Sequence, residues 1–309
     1  MVPRAAVQEL EAALAAGQAV RGRSLWADAR RRFMANRAAL VSLAILVLIA
    51  LFAIFGGLIA AWDIETVDWS ALGTGAAVNG RPSFATGHYF GTDQDGRDLF
   101  ARTVQGTRIS LMVGIVGSLV AVVVGTLYGA VSGFVGGRTD QVLMRIVDVM
   151  MSIPFMFVLI LLLVVFGRSI IMIFVGVGLI SWLEMARIAR GQALSIKNME
   201  YVEAAVAIGV RPMTIILRHI VPNLAGIVTV YATLLIPNMI IIESFISFLG
   251  LGVQDPQTSL GALISRGAAQ MQYGTLWMLL FPLGFLIVML FTFFYVGDGL
   301  RDALDPKDR

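Results

Sequence analysis

The sequence predicts an all-α membrane protein with six transmembrane helices and both termini cytoplasmic. Three observations carry this. First, of the 309 residues, 58% are apolar before the 32 glycines are counted, and only 14% are charged; an average soluble chain has about 45–50% and 25%. Second, the few charges bound uncharged runs long enough to cross a bilayer, which takes about 20 mostly apolar residues. Third, 17 of the 23 Lys and Arg fall on one side if the N-terminus is cytoplasmic, the asymmetry expected of cytoplasmic connections. Composition excludes a soluble globular enzyme, a disordered chain and a coiled coil, because too few polar residues remain to cover a surface in water. Without cysteine there is no disulfide framework, no thiolate nucleophile and no cysteine metal site.

Residues 1–23 are Ala-rich and polar and predict a mobile cytoplasmic N-terminus. Residues 24–62 hold a basic helix and the first span. In Ser24–Arg37, Leu25, Trp26, Ala29 and Phe33 recur at near-helical spacing with Arg30, Arg31, Arg32 and Arg37 between them. That pattern fits a helix lying in the membrane interface, or a basic flank that fixes topology. The first span, Ala38–Trp62, is longer than a signal-peptide core and is expected to stay in the mature protein. Residues 63–106 form an extracytoplasmic segment that opens as loop.

Residues 107–298 make a core of five helices. The second and third spans are placed at Ile109–Gly137 and Val149–Gly167. The fourth runs from Ser169 past Glu184 to about Ala186, and the fifth from Asn223 past Glu243 to about Leu249. The sixth is Leu276–Val296, and residues 299–309 form a cytoplasmic tail. Within the second span Gly117, Ala121, Gly125, Gly129 and Gly133 recur every four residues, which puts small residues on one face and lets another helix approach closely. His88 and His219 fall on opposite sides of the membrane, which excludes a His pair within one chain.

No G-x-x-x-x-G-K-[ST] occurs, and neither of the two lysines, Lys197 and Lys307, follows a glycine. The chain therefore cannot hold ATP in a P-loop of its own. Hydrolase signatures are absent as well. Asp93–Asp98 departs from a calcium loop, with Gly at its fourth position and Val104 at its twelfth; a tight turn whose acids meet Arg97 and Arg102 is expected instead. No catalytic residue, cofactor, metal or nucleic-acid partner is expected for this chain.

The long connection 187–222 is the most informative stretch. Glu200–Ile208 has good helix formers, Gly209 sits where a helix C-terminus needs positive φ, and Pro212 suits the first position of a second helix. That helix, Met213–Ile220, is expected to stop before Pro222. Ala204 and Ala205 leave one face with little bulk. Such an elbow fits a mechanical linkage to a separate motor, or an amphipathic helix resting on lipid headgroups. Glu243 lies 20 residues after Asn223, so roughly 30 Å up its helix, near the outer surface. It is expected to face protein, since a carboxylate in hydrocarbon is costly. There it either lines the outer end of a pathway or bonds to the Gly250–Gly252 turn.

Glu203-Ala204-Ala205-x3-Gly209, followed by Ile220-x-Pro222, resembles the EAA motif of permease subunits of ABC importers. Four further stretches resemble the dipeptide/oligopeptide/nickel branch of that family: Phe90–Asp98, Met144–Asp148, Ser247–Gly252 and Gly297–Lys307. The wording of Phe166–Ile171 and Arg218–Asn223 is most similar to the oligopeptide permeases of that branch. The resemblance implies a type I ABC importer permease fold in the bacterial cytoplasmic (inner) membrane. It implies half of a peptide pathway, completed by a homologous B-type permease subunit. Two ATPase subunits would carry ATP and Mg, and an extracytoplasmic peptide-binding protein would deliver cargo. The coupling contact would fall on Glu203, Ala204, Ala205, Gly209, Arg211 and Pro212. Dipeptide, glutathione and nickel permeases are the alternatives within the branch. A secondary transporter or channel would need paired charges near the bilayer middle, which only Glu243 approaches, and an intramembrane hydrolase would need a His able to meet a Ser there.

Overall fold

The structure is a computed structural model that describes residues 25–72 and 76–304. The expectations for residues 1–23, for Ser24 and the side chains of Leu25 and Trp26, and for residues 305–309 lie outside the described residues. The chain forms α1 (Leu25–Ala35), α2 (Arg37–Phe55), α3 (Leu99–Val135), α4 (Gly137–Ser152), α5 (Phe155–Phe166) and α6 (Ile170–Lys197). The elbow follows as α7 (Glu200–Ala207) and α8 (Pro212–Ile215), then come α9 (Val221–Phe248), α10 (Leu260–Gln270) and α11 (Trp277–Leu304). Among the described residues the strand-like pairings are two isolated bridges, Val67–Arg97 and Thr92–Asp98.

The bundle is organised around α3 and α6, which run parallel. Gly117 lies against Val177, Gly125 against Met185 and Gly133 against Ala193, so both helices advance together. The small-residue stripe is thus a packing face, as its spacing predicts. α9 runs the other way: Gly114 meets Ile240, while Phe134 shares a core cluster with Ile220 and Leu224. Gly299 near the end of α11 sits against Ala39 near the start of α2. Arg37 and Leu304 therefore lie at the same end of the bundle as the elbow. The basic helix α1 packs on α11, with Ala29 buried and the Phe33 ring close to Gly299, so it rests on protein as well as facing outward.

Among the described residues, five helices are long and apolar enough to cross a membrane, or six if a bent pair counts as one. That pair corrects the straight third span. Pro154 forces the residue before it out of the helical region, and Ile153 is extended at φ −84°, ψ 126°. α4 and α5 meet there at 76°. α5 has only 12 residues, about 18 Å, and α4 is amphipathic, with Arg138, Asp140, Arg145 and Asp148 on it. α3 begins ten residues before Ile109 because Asp98 caps it, accepting from the Ala101 N–H at 2.8 Å; an uncharged run marks the limit of hydrocarbon, not of helix. α6 likewise runs on to Lys197. The connection Gly250–Thr275 contains α10, whose Gly261 and Gly267 press on α9 and α11 backbone.

The second elbow helix does not stop before Pro222. A π-turn, Ile216–Ile220, carries the chain straight into α9, with the Val221 N–H bonded to the Ile216 carbonyl. The wider turn takes up the ring and missing N–H of Pro222, which sits in the first turn of α9.

Candidate functional site

The elbow closes as a Schellman motif. The Gly209 N–H donates to the Val206 carbonyl at 3.0 Å and the Val210 N–H to Ala205 at 3.1 Å, and Gly209 takes φ +81°. Glu200 and Glu203 occupy the first turn of α7, where negative charge suits the helix dipole. Arg211 precedes α8, and Pro212 is its first residue. Val202 and Ala205 point inward to a cluster with Ile215, Ile216 and Leu224. Glu203, Ala204, Val206, Ala207 and Ile208 point outward. Ala204 and Ala205, expected to share one docking face, are therefore split, because neighbours on a helix do not face the same way. What the sequence reading missed is the apolar bulk beside Ala204: Ile208 is 80% exposed and Val206 54%.

At the α4–α5 bend a cleft of about 470 Å³ opens between the bend, α6 and α9. Most of its lining is apolar, from residues such as Met151, Phe155 and Ile242, and its polar groups are Ser181, Glu184 and Asn238. Two ion pairs pin α4 to α6 beneath it. Arg190 holds Asp140 through both oxygens, at 2.5 and 2.6 Å, and Ser132 donates to the same carboxylate at 2.6 Å. Arg187 holds Asp148 at 2.5 Å.

Glu243 is fully enclosed and does not line this cleft. It accepts from the hydroxyls of Ser110 at 2.8 Å, Ser247 at 2.7 Å and Ser244 at 3.4 Å. It faces protein, as expected, but it joins α3 to α9 and bonds to serines and not to the Gly250–Gly252 turn. The carboxylate that opens on the cleft is Glu184, noted in the sequence only where it limits a span. Its signal was available: it is a lone acid 14 residues after Ile170 in a 28-residue helix. Serine hydroxyls rotate to donate or accept, so Glu243→Gln is expected to fold and transport normally. Glu243→Leu leaves those hydroxyls without their acceptor and is expected to cost about 1–3 kcal/mol, read as a lower thermal midpoint in detergent.

At the end opposite the elbow the Asp93–Asp98 turn is built as a polar knot. Asp93 accepts the backbone N–H of Asp95 and of Arg97, both at 2.9 Å, and forms an ion pair with the fully buried Arg102 at 3.2 Å. Asp98 accepts from His88 at 2.9 Å. Arg97, Arg102 and Arg266 converge on Asp255, at 3.2, 3.0 and 2.6 Å. Arg102 meets the turn acid Asp93 as expected, but the Arg97 side chain reaches Asp255 instead, a partner 158 residues away that spacing could not reveal. Burial pushes the Asp255 carboxyl up, but the hydrogen bonds and charges of Arg266 and Arg102 outweigh it and hold it at about 2, below the usual 3.8. A depressed acid stabilises above its unfolded pKa, and that contribution is lost as pH falls from about 4 through about 2. Asp255→Asn is expected to lower the thermal midpoint near neutral pH and to remove this part of the acid dependence.

Residues 125–309 match the family described as "Binding-protein-dependent transport system inner membrane component", and residues 24–74 match the "N-terminal TM domain of oligopeptide transport permease C". The chain belongs to this family of ABC transporter permeases, and is a multi-pass protein of the bacterial cytoplasmic membrane. It is 57% identical over 290 residues to the oligopeptide transport system permease protein OppC of Escherichia coli K12, covering 94% of each chain. The protein of the same name from Haemophilus influenzae is 52% identical over 93% of this chain and 90% of its own. A dipeptide transport system permease protein, DppC of Bacillus subtilis, is 40% identical over 91% and 86%. Among solved structures, a chain of the MetNI methionine ABC transporter in inward-facing form superposes with a TM-score of 0.52 at 19% identity, over 65% of this chain and 95% of that one. That likeness gives the type I permease fold.

Proposed function

We propose that this chain is one half of the membrane pathway of an ATP-driven oligopeptide importer. A homologous B-type permease subunit supplies the other half, two ATPase subunits hold ATP and Mg, and an extracytoplasmic binding protein delivers the peptide. The observation that carries coupling is the elbow: a corner closed by backbone hydrogen bonds whose outward side chains, Ala204, Val206 and Ile208 among them, are exposed. Uncovered apolar surface of this kind marks an interaction site. The oligopeptide cargo is supported by the relatives named for it. Dipeptide cargo is the second reading, favoured by the dipeptide permease relative.

In this reading the six spans count α4–α5 as one, and the elbow end is cytoplasmic together with both termini. The 187–222 connection is the coupling loop of the 107–298 core, and residues 63–106 face the binding protein. Cysteines at Ser83 and Arg145 are expected to react with an impermeant thiol reagent from outside and inside respectively; labelling of both from one side contradicts this topology. The function is tested by reconstituting the chain with its partner subunits in liposomes. Binding protein loaded with tripeptide should stimulate ATP hydrolysis and peptide uptake together, and stimulation by nickel or glutathione in place of peptide would transfer the assignment to another cargo.

A further inference from the structure

We infer that the cleft at the α4–α5 bend is a cargo-contact site, in which Glu184 receives an ammonium group of the passing peptide and Asn238 meets its backbone amides. The inference rests on the peptide-import reading and says which residues of this chain touch the cargo.

Glu184 stands about 21 Å along α6 from Ile170, in the inner part of a span that crosses about 30 Å of hydrocarbon. It is exposed, and among the described residues its side chain takes part in no hydrogen bond or ion pair. The nearby cations are already engaged, Arg187 with Asp148 and Arg190 with Asp140, each at 2.5 Å. A carboxylate at that depth facing hydrocarbon is costly and marks a wet path or a charged partner. The face it occupies is not a flat lipid-facing surface but a concavity of about 470 Å³, within the size range of ligand sites.

The remaining lining agrees with a peptide. Asn238 is exposed, its side chain makes no hydrogen bond among the described residues, and it presents a donor and an acceptor on one carboxamide, the complement of a peptide group. Ser181 has spent its proton on the Val177 carbonyl at 2.6 Å and can only accept, so Glu184 supplies the charge and Asn238 the side-chain donor. Met150, Met151 and Met239 supply most of the flexible wall; thioether chains adapt to different shapes, which suits cargo whose side chains vary. A single negative charge beside adaptable apolar wall matches a positively charged peptide end or lysine better than a metal ion, which would need several oxygen ligands.

The test uses the complete complex with its partner subunits and binding protein in liposomes, with trilysine and trialanine as cargo. Glu184→Gln is expected to lower trilysine uptake about tenfold, the size of one lost charge-assisted hydrogen bond, and to lower trialanine uptake less. Glu184→Asp should recover most of the loss, and Asn238→Ala should slow both cargoes. Retention of the sister permease and of the ATPase subunits should be unchanged in all three. A photoreactive residue at Met151 should crosslink to radiolabelled trilysine during turnover. Wild-type uptake of both peptides by Glu184→Gln and Asn238→Ala overturns the inference and leaves peptide import standing. Loss of the sister permease from the Glu184→Gln complex also overturns it, and assigns the carboxylate to an ion pair between subunits. A wild-type complex that assembles but imports neither peptide sinks the peptide reading itself.

Discussion

Gly129→Leu is expected to leave almost no folded protein in the membrane. A β-carbon on Gly129 would stand 2.2 Å from the Ala186 carbonyl oxygen and 2.7 Å from the Arg190 backbone nitrogen. Both obstacles are backbone of α6, so no rotamer change relieves the clash and the two helices must part. Overpacking costs about 1–3 kcal/mol where side chains can give way, and more is expected here, because separating α3 from α6 also uncovers the Met185 and Ala189 packing and strains the Ser132–Asp140–Arg190 bridge that ties α3 to α6 through α4. Gly191→Ala is the matched control. Gly191 lies on α6 with nothing within 4 Å of its added carbon, and alanine in place of glycine favours a helix by about 1 kcal/mol. Membrane-inserted yield and thermal midpoint in detergent read both. Normal yield of Gly129→Leu would mean that the α3–α6 contact is not the spine of the bundle.

The contrast between these two glycines shows what could be read from the sequence. The stripe containing Gly129 has a period, and a period specifies a face. Gly209 and Pro212 specify a corner because few other residues tolerate those backbone angles. The spans were legible because hydrocarbon admits few charges. Contacts between distant residues were not. Nothing near Asp93 points to Asp255, and nothing near Glu243 points to Ser110. The roles of the two mid-helix acids were therefore hidden: both Glu184 and Glu243 are single carboxylates in apolar runs, and only the packing tells that serines surround one while a cleft receives the other. The bend at Pro154 was legible in principle, from the proline and from the charged face of α4, but an uncharged run was read as a straight span. The split of Ala204 from Ala205 follows from the 100° step of a helix, which a motif written as letters conceals.

Gly209→Val is expected to reduce peptide uptake at least tenfold while the protein still inserts and pairs with its sister permease. The residue has φ +81° and open space around the position of an added carbon, so the effect comes from backbone alone and not from a clash. A non-glycine residue held in the left-handed region costs about 1–3 kcal/mol, and a β-branched one is worse still. Valine would therefore push the elbow out of its Schellman closure and swing Ile208 and Val206 away from the proposed docking surface. The core packing of Val202 and Ala205 is on the other side of α7, which is why folding should survive. Gly209→Asn separates the causes, because asparagine adopts positive φ more readily than most residues; it should keep most of the uptake despite adding a larger side chain than alanine. Glu203→Lys reverses an exposed charge in the first turn of α7, where it opposes the helix dipole and any basic contact on the motor; a several-fold loss, smaller than that of Gly209→Val, is expected. The measurement is the amount of ATPase subunit retained on the purified complex, taken together with uptake and with ATP hydrolysis in the absence of cargo. Reduced retention, or hydrolysis that no longer responds to loaded binding protein, supports coupling through the elbow. Full retention with normal uptake in both Gly209→Val and Glu203→Lys would make the elbow an ordinary surface helix, and the force from ATP would have to enter this chain elsewhere.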